Sequence, residues 1–249
     1  MARGSLLRID TGRGLMPAYA AVPDTPPPWP GVVVIHDFTG MSEDLRSHAD
    51  WLAGEGFLAI APDLYHWGGR LRCLRTIMRE LGVRHGRTFD DIETARRWLR
   101  DHDGCSGAVG VLGFCMGGGD AIALAEGHGF DASSVNYGGC PSDARDWLPR
   151  ACPVVGSFGE KDWSPLGARA GRRLDDLLTE FDVPHDVKVY PGVRHGFMND
   201  PAPQDQTLFL RFLARVSGMR YDETATTDAR RRIVAFFDLY LRRGPHPAP

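Results

Sequence analysis

The chain has 249 residues, 29 Lys+Arg against 32 Asp+Glu, a formal net charge of −3 and 43% hydrophobic residues. Those proportions fit one ordinary globular α/β domain and exclude a protein that coats nucleic acid through excess basic charge. No apolar run approaches the ~20 residues that cross a bilayer, and Met1-Ala2-Arg3-Gly4-Ser5 is followed by no signal-peptide core, so neither membrane nor nucleic-acid partners are expected.

Residues 6–10 and 16–22 read as two strands joined by the turn-rich Thr11-Gly12-Arg13-Gly14. A Pro-dense connection over 23–30 follows, and Val32-Val33-Val34-Ile35 then reads as a strand covered on both faces. Further strands are expected at 57–61, 108–112, 134–137, 153–158 and 187–190. Helical spacing lies between them at 44–54, 89–100, 115–126 and 164–181, and a last helix is expected over about 224–241. This alternation predicts an α/β fold in one domain spanning 1–249, with a mostly parallel sheet flanked by helices on both faces and a frayed tail over 243–249. The apolar segment 207–216 is expected to be a core helix, with a substrate lid or a dimer face as alternatives, and the chain is expected to be a monomer or a homodimer.

The five cysteines Cys73, Cys105, Cys115, Cys140 and Cys152 form no C-x-x-C pair. Neither a disulfide framework nor a zinc ribbon is expected, and a reducing cytoplasm is the expected setting. Cys115 stands apart in Gly113-Phe114-Cys115-Met116-Gly117, between a buried strand and a helix-compatible stretch. This is the thiol version of the G-x-S-x-G nucleophile elbow. The turn is so sharp that side chains two residues either side would collide, which glycine avoids. The nucleophile then sits at a helix N-terminus, whose positive end favours a thiolate.

A thiol nucleophile needs a base, and the base needs an acid to orient it. In a sheet of this kind they follow in the order nucleophile, acid, histidine, on loops after later strands. Asp162 lies in Gly159-Glu160-Lys161-Asp162-Trp163, after the strand at 153–158, with Glu160 as its nearest rival. His195 follows the strand at 187–190. His36 stands too early in the chain for a base, and His48, His66, His85, His102, His128, His185 and His246 are read as surface residues.

With these pieces in order the sequence resembles the dienelactone hydrolase family of the α/β-hydrolase superfamily. The matching stretches are Val33 through Gly40, Ala61-Pro62-Asp63-Leu64-Tyr65, Gly113-Phe114-Cys115-Met116-Gly117-Gly118, Gly159-Glu160-Lys161-Asp162, His195-Gly196-Phe197 and the last helix with Phe236-Phe237. The resemblance implies an α/β-hydrolase fold and a Cys115–His195–Asp162 triad acting on a small-molecule ester or lactone through a thioester acyl-enzyme. It implies an oxyanion hole from the backbone N–H groups of Met116 and Phe38, and no metal or organic cofactor. It also gives Asp37 the place of a family glutamate that holds the resting thiol. The family's arginine four residues after the histidine is here Asn199, and a second clamping arginine would come from among Arg70, Arg72, Arg75, Arg79, Arg84 and Arg87, which otherwise read as a solvated helix face. Competing expectations are a broad-range carboxylesterase, thioesterase or peptidase, a catalytically silent binding member, and a redox thiol resolved by Cys140 or Cys152.

Overall fold

The computed structural model describes residues 4–200 and 218–242. The expectations for 207–216, for His246 and for the tail lie outside them. Eight strands form one sheet in the order β1-β2-β4-β3-β5-β6-β7-β8. They are β1 (Ser5–Asp10), β2 (Leu15–Ala21), β3 (Trp29–Ile35), β4 (Leu58–Pro62), β5 (Cys105–Phe114), β6 (Ala132–Asn136), β7 (Val154–Gly159) and β8 (His185–Tyr190). The β1–β2 and β2–β4 pairs are antiparallel. From β4 through β8 every pair is parallel, so the C-terminal ends of those strands meet along one edge. Each expected strand is present, within a few residues of its expected ends.

The β-branched run in β3 shows how the layers form. Successive side chains alternate across a strand. Val32 and Val34 pack with Leu45, Ala49 and Leu52 of α1 (Glu43–Gly54) and with Ile233 and Phe237 of α6 (Glu223–Phe237). Val33 and Ile35 pack on the opposite face, with Ile77 of α2 (Arg70–Val83), Ile92 and Leu99 of α3 (Arg87–Arg100) and Ala121 of α4 (Met116–Ala123). A third cluster joins α5 (Ala168–Glu180) to the β6–β7 end through Leu174, Leu178, Val135 and Phe158. Two helices start with side-chain caps: Ser42 Oγ accepts from the Leu45 N–H and Asp222 from the Ala225 N–H.

The Arg-rich segment, read as a solvated helix face, does hold a helix, α2, which buries Cys73 and Ile77 while Leu71, Met78 and Val83 face solvent. Two expectations change. The helix expected from residue 164 starts at Ala168, because Ser164 turns back to donate its N–H to Asp162 Oδ1. His48 is fully buried rather than on the surface, stacked on Phe114 with ring centroids 4.2 Å apart.

Candidate active site

The site assembles at the C-terminal edge of the parallel strands. Cys115 follows β5 directly and caps α4, with φ 55° and ψ −113°. A non-glycine residue there carries strain of about 1–3 kcal/mol, sustained by fixed surroundings. The Cys115 N–H is held by the Asn136 carbonyl at 3.0 Å. A Cβ on Gly113 would lie 1.9 Å from the Gly117 carbonyl oxygen, and one on Gly117 would lie 2.6 Å from the carbonyls of Ile35 and His36. Chemical denaturation of Gly113→Ala is therefore expected to show a loss of about 3 kcal/mol or more, the upper end of overpacking in a fixed backbone, and an unchanged midpoint would contradict this packing.

His195 and Asp162 meet as expected. His195 Nδ1 lies 2.6 Å from Asp162 Oδ2, and both side chains are buried. Burial works against charge on the imidazole. The hydrogen bonds to Asp162 and to the Cys115 side chain outweigh it, and the ring is raised to about 10. Burial also works to raise Asp162, but His195 and Ser164 hold it below the ordinary carboxylate value. Glu160 is exposed and accepts from the Gly192 N–H instead. Tyr137, from the loop after β6, sets its ring edge-on to His195 at 5.1 Å.

The two expected oxyanion donors sit at the start of α4 and on the loop after β3. Met116 opens α4, so its N–H has no carbonyl partner within the helix. Phe38 sits on the loop after β3, and among the described residues its N–H makes no hydrogen bond. His36 fixes that loop. Its Nδ1 is 2.6 Å from the Asp37 carbonyl and its Nε2 accepts the Leu64 N–H at 3.2 Å, an arrangement that a neutral ring with hydrogen on Nδ1 satisfies. Full burial lowers its pKa, which keeps the ring neutral. Sequence reading dismissed His36 as a base and missed this supporting contact. Its position at a strand end was the available signal.

Asp37 is not joined to Cys115 by a hydrogen bond. Its Oδ1 accepts from the N–H and hydroxyl of Thr39 at 2.7 and 2.5 Å, and its Oδ2 is 3.4 Å from the Asn199 amide nitrogen. One methylene shorter than glutamate, it is held by its own loop. Arg70 is the arginine of α2 that reaches this loop, donating to the Thr39 carbonyl at 2.7 Å. Cys140 and Cys152 are poorly suited as resolving thiols: burial raises Cys140 and pushes Cys152 to about 12, leaving little thiolate at neutral pH. Among the described residues no cluster of three or more metal-ligating side chains occurs, and no helix is long and apolar enough to cross a membrane.

Comparison with known proteins agrees with this fold. The model of the dienelactone hydrolase family matches residues 16–241. A Yersinia pestis protein provisionally named carboxymethylenebutenolidase is 28% identical over 204 residues, 76% of each chain. A Saccharolobus solfataricus protein with the same provisional name is 25% identical over 260 residues, covering 88% of this chain and 92% of its own. Among solved structures, a dienelactone hydrolase-like promiscuous phosphotriesterase from metagenomic libraries superposes with a TM-score of 0.76 at 24% identity, covering 95% of this chain and 98% of that one. The dienelactone hydrolase of Anabaena variabilis gives 0.70 at 18%, covering 97% and 99%. At those identities the structures speak for the fold, and the match along nearly the whole sequence speaks for the family. The chain belongs to the dienelactone hydrolase family and is a hydrolase of ester or lactone bonds.

Proposed function

We propose that this chain hydrolyses small esters and lactones, in the manner the carboxymethylenebutenolidase name of its relatives denotes, through a covalent thioester on Cys115. The observation that carries the reading is His195, held by buried Asp162 at 2.6 Å and near enough to Cys115 for that side chain to help raise its pKa.

The sulfur attacks the substrate carbonyl while His195 keeps the thiol proton as an imidazolium beside Asp162. The carbonyl oxygen takes the negative charge and is met by the N–H groups of Met116 and Phe38, donors of a kind each worth about 10²–10³ in rate. Collapse breaks the bond to the alcohol oxygen, which leaves with the His195 proton. In a lactone that alcohol stays attached to the acyl group. Water then gives a proton to His195 and attacks the thioester, and the thiol is regenerated with release of the acid. Asp162 holds the ring with its hydrogen on Nδ1 throughout. Thiolate is a better leaving group than an amine, so amides are expected to be poor substrates and activated esters and lactones good ones. A broad-range carboxylesterase or thioesterase would use the same groups.

Mass spectrometry of the protein quenched during turnover of an activated ester is the test. It is expected to find the acyl group on the Cys115 peptide, and an acyl group elsewhere would remove the proposal. Asp162→Asn is expected to lower kcat by about 10²–10⁴. It would also move the alkaline limb of the rate profile down from near 10, since the Asp162 bond is the largest influence that raises His195.

A further inference from the structure

The three proposed reacting groups are held in different ways. Cys115 sits in a turn closed by Gly113 and Gly117, and Asp162 accepts the Ser164 N–H. His195 stands on the loop after β8, and the carbonyls of that loop are taken one by one. The His195 carbonyl accepts the Arg220 N–H at 3.2 Å, and the Gly196 carbonyl accepts the Asn199 N–H at 2.9 Å. The Phe197 carbonyl accepts twice, from the Asp222 N–H at 3.0 Å and from the Thr226 hydroxyl at 2.8 Å. A carbonyl oxygen has two lone pairs, so this one is fully engaged. Arg220, Asp222 and Thr226 lie in α6 or in the residues leading into it.

Thr226 is buried in the first turn of α6. A threonine hydroxyl in a helix commonly bonds a carbonyl one turn back on its own helix; this one crosses to another segment instead. The Phe197 ring is fully buried, 5.2 Å from the Tyr190 ring and 5.5 Å from the Tyr137 ring, and Tyr137 backs the imidazole of His195. The helix is also tied to the two strands that lead to Asp162 and His195. Arg232 of α6 donates to the Asp186 carbonyl at 2.6 Å and the Tyr190 hydroxyl at 3.2 Å on β8. It also donates to Ser157 Oγ at 3.3 Å on β7. One helix therefore sets a common frame for the acid and the base.

We propose that Thr226 is a positioning residue for the reaction: its hydroxyl, bonded to the Phe197 carbonyl, sets the imidazole of His195 between Asp162 and Cys115. This rests on the thioester hydrolase reading and adds a residue to it that touches neither substrate nor sulfur. The ring has to keep a 2.6 Å contact with Asp162 while it exchanges a proton with sulfur, so it tolerates little drift. A misplacement of about 1 Å costs up to about 10²-fold in rate. The Asp222 N–H alone leaves the Phe197 peptide with one tether, about which it can tilt.

The test is Thr226→Val, which keeps the branched shape and removes the hydroxyl. With p-nitrophenyl butyrate as substrate, kcat is expected to fall by about 10-fold, the worth of one hydrogen bond that aligns a reacting group, with KM little changed. Asp162, Cys115 and Tyr137 face the ring, and the bond to Asp162 is the largest influence that raises it to about 10. A loosened ring is therefore expected to titrate lower, which an NMR titration of the His195 ring nitrogens reads without any turnover. Thr226→Ser restores the hydroxyl and is expected to recover both kcat and the titration. Thr226→Ala makes the same deletion in a smaller side chain should the valine form not fold. A hydroxyl-free form with wild-type kcat or an unmoved His195 titration overturns the proposal, as does a serine form as slow as the valine form. A wild type that turns over no ester removes the hydrolase reading, and the His195 titration then decides by itself whether Thr226 sets the imidazole.

Discussion

Cys115→Ala is expected to reduce ester turnover by about 10⁴-fold or more, as removal of the nucleophile does in triad enzymes. The fold should survive. The side chain is small and only partly buried, and alanine keeps the same Cβ in the positive-φ turn. Cys115→Ser is expected to fall between the two. Its hydroxyl meets the same His195, but oxygen is far harder to deprotonate than sulfur, and an oxygen ester is slower to break down than a thioester. Steady-state assays on short p-nitrophenyl esters, with circular dichroism to verify folding, make the comparison. An alanine form that keeps wild-type kcat would show that the chemistry takes place elsewhere. Iodoacetamide gives a parallel reading: it should inactivate the wild type with labelling at Cys115 and leave Cys152, a partly buried thiol pushed to about 12, unmodified.

The second large effect concerns stability and a residue outside the reaction. Asp120 lies on α4, five residues after Cys115, fully buried, and among the described residues neither carboxyl oxygen has a hydrogen-bond partner. Burial raises its pKa to about 8, with the nearby Glu80 adding to the shift. Glu80 is itself occupied, accepting the N–H and hydroxyl of Thr88. The folded state thus holds a proton that the unfolded chain releases near 4. Asp120 therefore penalises the fold increasingly from pH 4 to about 8, by on the order of 4 kcal/mol at pH 7, and by a constant amount above that. Asp120→Leu, with the same branching and no polar atoms, is expected to raise the melting temperature by several degrees at pH 7–8. The gain should shrink as pH falls toward 4. Calorimetry across that range checks it, and a change independent of pH would show that Asp120 does not carry the proton assigned to it.

Much of this molecule follows from local pattern. The β-branched run at Val32-Val33-Val34-Ile35 predicts a doubly covered strand, and its residues alternate between two helical layers. Gly113 and Gly117 flank Cys115 because the turn has no room for a Cβ, a constraint visible in spacing alone. Asp162 and His195 are legible from their places after later strands. The helix α2 was legible only as a solvated face, because four arginines and the solvent-facing Leu71 and Met78 hide the stripe of Cys73 and Ile77. The burial of His48 was not legible, since its partner Phe114 is distant in sequence. Asp37 shows a different limit. Its position suggested a contact with the thiol, but a short side chain beside Thr39 bonds within its own turn first.

From residue order alone come the parallel α/β architecture, the sharp elbow and the proposed roles of sulfur, imidazole and carboxyl, because each depends on neighbours a few residues away or on the order of strands. Tertiary structure alone decides which oxygens and nitrogens share the space around them. The Asp37–Asn199–Asp44–Tyr137 bridge joins positions 37, 44, 137 and 199. No spacing rule links such positions. They meet because parallel strands deliver their following loops to a single edge of the sheet, where burial favours pairing these polar groups with one another.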